Sequence, residues 1–161
     1  MKLDDGQGTI FELDIAGYQF TKPDQGSNSP AFEFSDCNWL MVKGRIAIPP
    51  PGKPWEFMEP CLNAIELKSL AGWFDKISGS PIPRFASFME PNLRLSFSFL
   101  PSPMIRVTLS QECSSPWNKH TFPGFDELTF PMDRNDPAQI AAELHDLASR
   151  FPSRNRPGVP A

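Results

Sequence analysis

The stretch 60–78, PCLNAIELKSLAGWFDKIS, decides how the rest of the chain is read. Leu67, Leu70, Ala71, Phe74 and Ile77 recur at helical spacing and form one apolar stripe, while Glu66, Lys68, Asp75 and Lys76 take much of the remainder. Ile65 and Trp73 widen the stripe, which predicts a helix touching core on more than one side. Gly79, just past the last periodic residue, is a natural left-handed stop, and Pro81 and Pro83 keep the helix from resuming. Burying Leu67, Leu70, Phe74 and Ile77 stabilises by about 1.5–3 kcal/mol each, enough to anchor a small domain.

On either side of this helix the pattern changes from a period of 3.6 to a period of two. Upstream, residues 9–21 alternate Phe11, Leu13 and Ile15 with Glu12 and Asp14, which predicts a strand with a bulge or bend at Gly17. Residues 22–30 are loop by composition, and 31–48 hold one long strand or two consecutive ones. The run PPPGKP ends that segment, and Trp55-Glu56-Phe57 starts a short strand before the helix. Downstream, 84–90, 92–99 and 105–110 are strand candidates. In the second, Leu93, Leu95, Phe97 and Phe99 share one face opposite Asn92, Arg94, Ser96 and Ser98. Residues 125–131 fit a last strand. A second helix is expected over about 137–151, with Asp136 as N-cap, Pro137 at the first helical position and Gln139 completing a capping box. Its stripe is Ile140, Leu144, Leu147, Ala148 and Phe151. The hexapeptide FMEPCL at 57–62 recurs as FMEPNL at 88–93, which is two similar corners and not a repeat architecture. The nineteen prolines separate apolar runs without interrupting them, which suits short antiparallel strands with one wet face. The fold expected is therefore α+β, a curved antiparallel sheet or a β-sandwich with two packed α-helices. It forms one domain over 1–152, followed by a disordered tail, 153–161.

Bulk properties narrow the function. A 161-residue chain with 40% hydrophobic and 21% charged residues can build its own core without a metal or disulfide staple. The opening MKLDDGQG has no apolar stretch of the signal-peptide kind, and no apolar run reaches membrane-spanning length. The expected location is the cytoplasm. Cys37, Cys61 and Cys113 are odd in number and widely spaced, as expected of reduced, buried thiols. The net charge is −4, and the segment through Pro152 carries 13 basic against 19 acidic residues. Such a surface repels phosphate backbones and favours a basic protein partner.

The search for chemistry returns little. His120 and His145 are the two histidines, neither in metal-ligand spacing, and there is no phosphate-cradling loop or nucleophile elbow. No metal and no cofactor are expected. Fourteen Phe against one Tyr read as core and not as a sugar-stacking surface. Trp39 and Trp73 are expected inside, and Trp55 and Trp117 beside loops, where a contact surface could form. A small-ligand or glycan-binding β-sandwich module remains the alternative class, favoured by a deep apolar pocket. An enzyme would be favoured by His120 within reach of a carboxylate in a cleft.

Several segments, taken in order, resemble a known family. They are GYQF at 17–20, DCNWL at 36–40, EPCLNAIELKSLAGWF at 59–74, EPNLRLSF at 90–97, SPWN at 115–118, and a terminal helix closing on Arg150-Phe151-Pro152. Over roughly residues 9–152 they are similar to the WapI-type immunity proteins of bacteria. The resemblance implies a cytoplasmic, non-enzymatic protein that neutralises a toxin delivered in contact-dependent competition. Residues 62–64, Leu-Asn-Ala, and the proline-rich loop 49–54 depart from the family's pattern. The charge pattern adds an expectation of where a basic toxin would be met. Asp126, Glu127, Asp133 and Asp136 are dense near one loop-rich end of the chain, with Trp117 as an apolar anchor.

Overall fold

A computed structural model describes residues 1–20, 37–77, 85–86, 88–122 and 124–154. The first four strands are β1 (Lys2–Asp4), β2 (Ile10–Tyr18), β3 (Trp39–Ala47) and β4 (Trp55–Asn63), and helix α1 (Ala64–Ile77) follows. Then come β5 (Phe85–Ala86), β6 (Leu93–Ser98), β7 (Met104–Ser110), β8 (Phe125–Pro131) and helix α2 (Pro137–Arg150). Each strand pairs antiparallel with its neighbour in sequence. The result is two open four-stranded sheets, β1-β2-β3-β4 and β5-β6-β7-β8. The chain is thus α+β, and α1 is the crossing from one sheet to the other. The two helices pack on each other, and His145 Nε2 on α2 meets Asp75 Oδ2 on α1 at 2.8 Å.

One core joins all four layers. Leu13, Val42 and Ile46 enter it from the first sheet, Leu95, Val107 and Phe130 from the second, Leu67 and Phe74 from α1, and Leu144 from α2. The helical stripe predicted from 60–78 is buried as expected, except that Ile65 is 62% exposed. Close packing also explains one glycine. Gly44 faces the core opposite Phe57, and a Cβ there would lie 2.1 Å from the Phe57 ring.

The helix starts later than its periodicity predicts. Glu59, preceding Pro60, is pushed extended, so β4 continues to Asn63 and the first FMEP corner lies inside a strand. Asn63 then caps α1. Its Oδ1 accepts from the Ile65 and Glu66 backbone N–H groups at 3.0 and 2.9 Å, and Glu66 Oε2 accepts from the Asn63 N–H at 2.9 Å. This is a reciprocal capping box. At α2, Asp136 caps as expected by accepting from the Ala138 N–H at 2.9 Å, but Gln139 donates to Glu143 and closes no box.

Other differences follow from pairing that sequence periodicity does not show. β1 is only three residues long, too short for a pattern, and is held by a turn in which Asp5 Oδ1 accepts from the Gln7 and Thr9 N–H groups. Burial pushes the Asp5 carboxyl up, but the Thr9 side chain and the backbone of Gln7, Thr9 and Gly8 outweigh it and hold it below the usual carboxylate value. The bulge expected at Gly17 is present between Ile15 and Gly17. The strand expected over 84–90 shrinks to Phe85–Ala86, and Phe99 lies beyond β6 and 58% exposed, edge-on to Phe97. The expected loop 22–30, the first part of the strand segment expected over 31–48 (residues 31–36) and the stop signals Gly79, Pro81 and Pro83 lie outside the described residues.

Two buried asparagines fasten chain segments that the periodicity leaves unassigned. Asn135 is 5% exposed; its Oδ1 accepts from the Asp4 N–H and its Nδ2 donates to the Asp4 and Pro131 carbonyls. Asn38 treats Arg154 in the same way, accepting from its N–H at 2.6 Å and donating to its carbonyl. Arg154 also lies over the Tyr18 ring and donates to the Phe20 carbonyl, so Ser153 and Arg154 are docked; the rest of the expected tail, 155–161, lies outside the described residues. All three cysteines are buried and stand outside any disulfide. Neighbouring Cys61, together with burial, raises the Cys113 thiol far above its ordinary value and keeps it protonated and unreactive.

Candidate functional site

The five residues singled out from sequence fall along one strand, β8, and on the loops at its two ends. Residues 125–131 alternate, with Phe125, Glu127 and Thr129 outward and Leu128 and Phe130 in the core. Glu127 is thus presented on the outward face, where it pairs with Arg106 on β7 at 3.2 Å. Asp126 points the other way and holds the preceding loop. It accepts from the Ser115 N–H at 2.6 Å, the Ser115 hydroxyl at 3.1 Å and Asn118 Nδ2 at 2.6 Å. Three charge-assisted bonds fix residues 115–118, and so they position Trp117.

Trp117 is 44% exposed, stacked edge-on against Trp55 with ring centroids 5.7 Å apart. Trp55, placed beside a loop by the sequence, is a packing residue: it is 6% exposed and its indole N–H donates to the Cys113 carbonyl. The pair therefore divides the work: Trp55 is a buried support, and Trp117 is the ring on display. Lys53 Nζ lies 6.0 Å from the centre of the Trp117 ring, and Lys119 pairs with Glu112 nearby. Phe122 is fully exposed and Phe125 41% exposed on the same loop and strand start. Composition and spacing do not single these two out, because an outward Phe looks like a core Phe until the register is known.

Asp133 and Asp136 sit beyond the other end of β8, in the turn that leads to α2. Asp136 serves as the helix cap, whereas Asp133 is exposed and has no ion pair among the described residues. The six steps from Glu127 to Asp133, four along β8 and two in the turn after it, span at most roughly 20 Å. The acids therefore do not form one tight cluster. A standard protein interface of about 800 Å² per partner is roughly 30 Å across, so both ends still fit within one footprint.

Two features bear on the other classes. His120 is exposed, and among the described residues no carboxylate pairs with it; no group of three metal-ligating side chains occurs among them either. A hollow of about 370 Å³ lies on the first sheet, but charged side chains line it, among them Lys2, Glu12, Asp14, Lys43 and Arg45. That is not the apolar wall a small-ligand pocket uses. No described helix is long and apolar enough to cross a membrane.

An open two-sheet scaffold with a displayed aromatic and scattered surface acids is a frame for protein contact. Comparison with known families agrees. The model of the immunity protein WapI-like family matches residues 2–152, and the chain belongs to that family. No curated protein and no solved structure matches the chain.

Proposed function

We propose that the protein neutralises a bacterial toxin domain by direct, stoichiometric binding in the cytoplasm, without catalysing a reaction. Membership of the immunity family supports this reading, and the observation that carries the location is the fixed Trp117. A large ring held half in the open by Asp126 and backed by Trp55 loses little freedom on binding, which is how interface hot spots gain their strength. In this reading the toxin presents a basic surface to Glu127, Asp133 and Asp136 along β8, and an apolar recess to Trp117. Asp126 contributes indirectly, by holding the loop.

The test is association with the cognate toxin domain, made inactive by mutation. The double variant Glu127→Arg, Asp133→Arg is expected to slow association by roughly tenfold and to flatten its dependence on salt, because rim charges act mainly on the encounter rate. An unchanged on-rate would place the contact elsewhere. Failure of the wild-type chain to bind at all would overturn the functional reading itself.

A further inference from the structure

Strand β8 ends the second sheet: it pairs with β7 on one side and with no described strand on the other. The ladder fixes which of its backbone groups face which way. In an antiparallel pair the hydrogen bonds join directly opposite residues, and only every second pair is bonded. The Met132 N–H donates to the Pro103 carbonyl at 3.0 Å, and the Ser110 N–H donates to the Asn92 carbonyl at 2.9 Å. Along the register, β7 therefore turns its odd-numbered residues to β8 and its even-numbered residues to β6. Opposite them, Asp126, Leu128 and Phe130 bond β7, while the N–H and C=O groups of Phe125, Glu127 and Thr129 point out of the sheet edge. Among the described residues nothing bonds these edge groups.

Backbone groups left over at a sheet edge are usually blocked, and the neighbouring edge shows how. On β1 the outward N–H and C=O of Asp4 are both taken by the Asn135 side chain. The same side chain takes the Pro131 carbonyl, and Pro131 has no N–H, so β8 is closed at that end. From Thr129 back to Phe125 no such device is present among the described residues. The register with β7 has no bulge, and no lysine or proline stands between Phe125 and Phe130. Phe125, Glu127 and Thr129 are all exposed. A flat, unblocked edge is a template for another strand.

We propose that an extended segment of the toxin adds to this edge as a further strand, a mode of contact that rests on the functional reading above. Main-chain bonds to Phe125, Glu127 and Thr129 supply the grip, and side chains select the segment. The incoming strand carries an apolar residue opposite Phe125, at the end of β8 that Asp126 ties to residues 115–118. Opposite Glu127 it carries a basic one. Residues 125–136 hold four acids against Arg134, and the stretch stays net negative when Arg106, across the ladder, is counted.

A second copy of this chain fits the same edge poorly. Antiparallel self-pairing that engages all three residues centres on Glu127, with each Phe125 opposite the other copy's Thr129. That register sets Glu127 directly against its own counterpart, between two strands that are both net negative.

Calorimetric titration of the inactive toxin domain into the full chain tests this, with Thr129→Pro as the principal variant. The N–H it removes lies outside the β7 ladder, and proline is tolerated on edge strands, so the variant is expected to fold with a melting temperature near wild type. Its affinity is expected to fall roughly tenfold or more, while Thr129→Ala, which keeps the N–H, binds within about threefold of wild type. Amide hydrogen exchange on the unaltered chain gives a second readout. Glu127 and Thr129 are expected to exchange fast alone and slowly in the complex, whereas Leu128 and Phe130 are slow in both. Wild-type affinity in folded Thr129→Pro, or Glu127 and Thr129 amides that stay fast in the complex, overturns strand addition and leaves the side-chain reading of β8 standing. No binding by wild type removes the functional reading, and this one with it. A wild-type dimer in sedimentation that Thr129→Pro dissociates would identify a second copy as the occupant and overturn the proposal.

Discussion

The outward faces of the two sheets solve the same problem in opposite ways. On the first, Lys2, Glu12, Arg45 and Glu56 stand side by side across four strands, and Asp14 faces Lys43 in the next row. Arg45 reaches Glu12 at 3.3 Å and Glu56 at 3.1 Å. Opposite charges across strands satisfy one another along the row from Lys2 to Glu56, while Lys43 in the next row has no ion pair among the described residues and Met58 beside it is 51% exposed. The second face pairs Arg106 with Glu127 but leaves Arg94 without an ion pair among the described residues, and it exposes Phe85 and Phe125 at its two edges. Displayed aromatics at its margins, set against a paired charge row on the first sheet, support the proposal that the partner binds on the second sheet.

The largest expected effect removes the contrast altogether, because both faces share one support. Phe74 is fully buried on α1, edge-on to Trp73 at 5.0 Å, in the core that both sheets cover. Phe74→Ala is expected to cost about 3–5 kcal/mol, read by urea or thermal unfolding, since the cavity cannot collapse against two sheets and a helix. A melting temperature that barely moves would mean the two sheets do not depend on a common core.

An intermediate effect separates display from support. Asp126→Ala strips Ser115 and Asn118 of their acceptor. It is expected to destabilise by about 2 kcal/mol, given that bonds to a charged acceptor contribute about 1.5–3 kcal/mol and this site is partly exposed. Toxin affinity should fall further than the stability loss explains, because Trp117 loses its fixed pose. Tryptophan fluorescence should shift to the red as the Trp117 ring becomes wetter. Unchanged fluorescence and affinity would show that the loop holds itself.

How much of this was legible in sequence depends on whether the signal is local. The α1 stripe, the β2 alternation, the β6 alternation and the Asp136 cap each repeat within a few residues, and each appears in the fold. The Asn63–Glu66 box is equally local, but the apolar residues around it mask its polar pattern. What stayed hidden is pairing across the chain. Asn135 bonding Asp4, and Asn38 bonding Arg154, join residues 131 and 116 positions apart, which no periodicity records. The candidate site suffered in the same way. Asp126 and Glu127 are adjacent and look alike in sequence, yet the strand turns one inward to hold a loop and the other outward to pair with Arg106.

The smallest expected effect is on the paired row of the first sheet. Arg45 is half exposed and serves two half-exposed carboxylates, so solvent screens both pairs. Arg45→Ala is expected to cost no more than about 1 kcal/mol by denaturant unfolding, with the loss shrinking further in high salt. The toxin should bind this variant as it binds wild type. That result would confirm that a self-satisfied ladder is a structural surface. A clear drop in affinity, with folding intact, would instead move the partner to the first sheet, because a screened ion pair has no other route to act on binding.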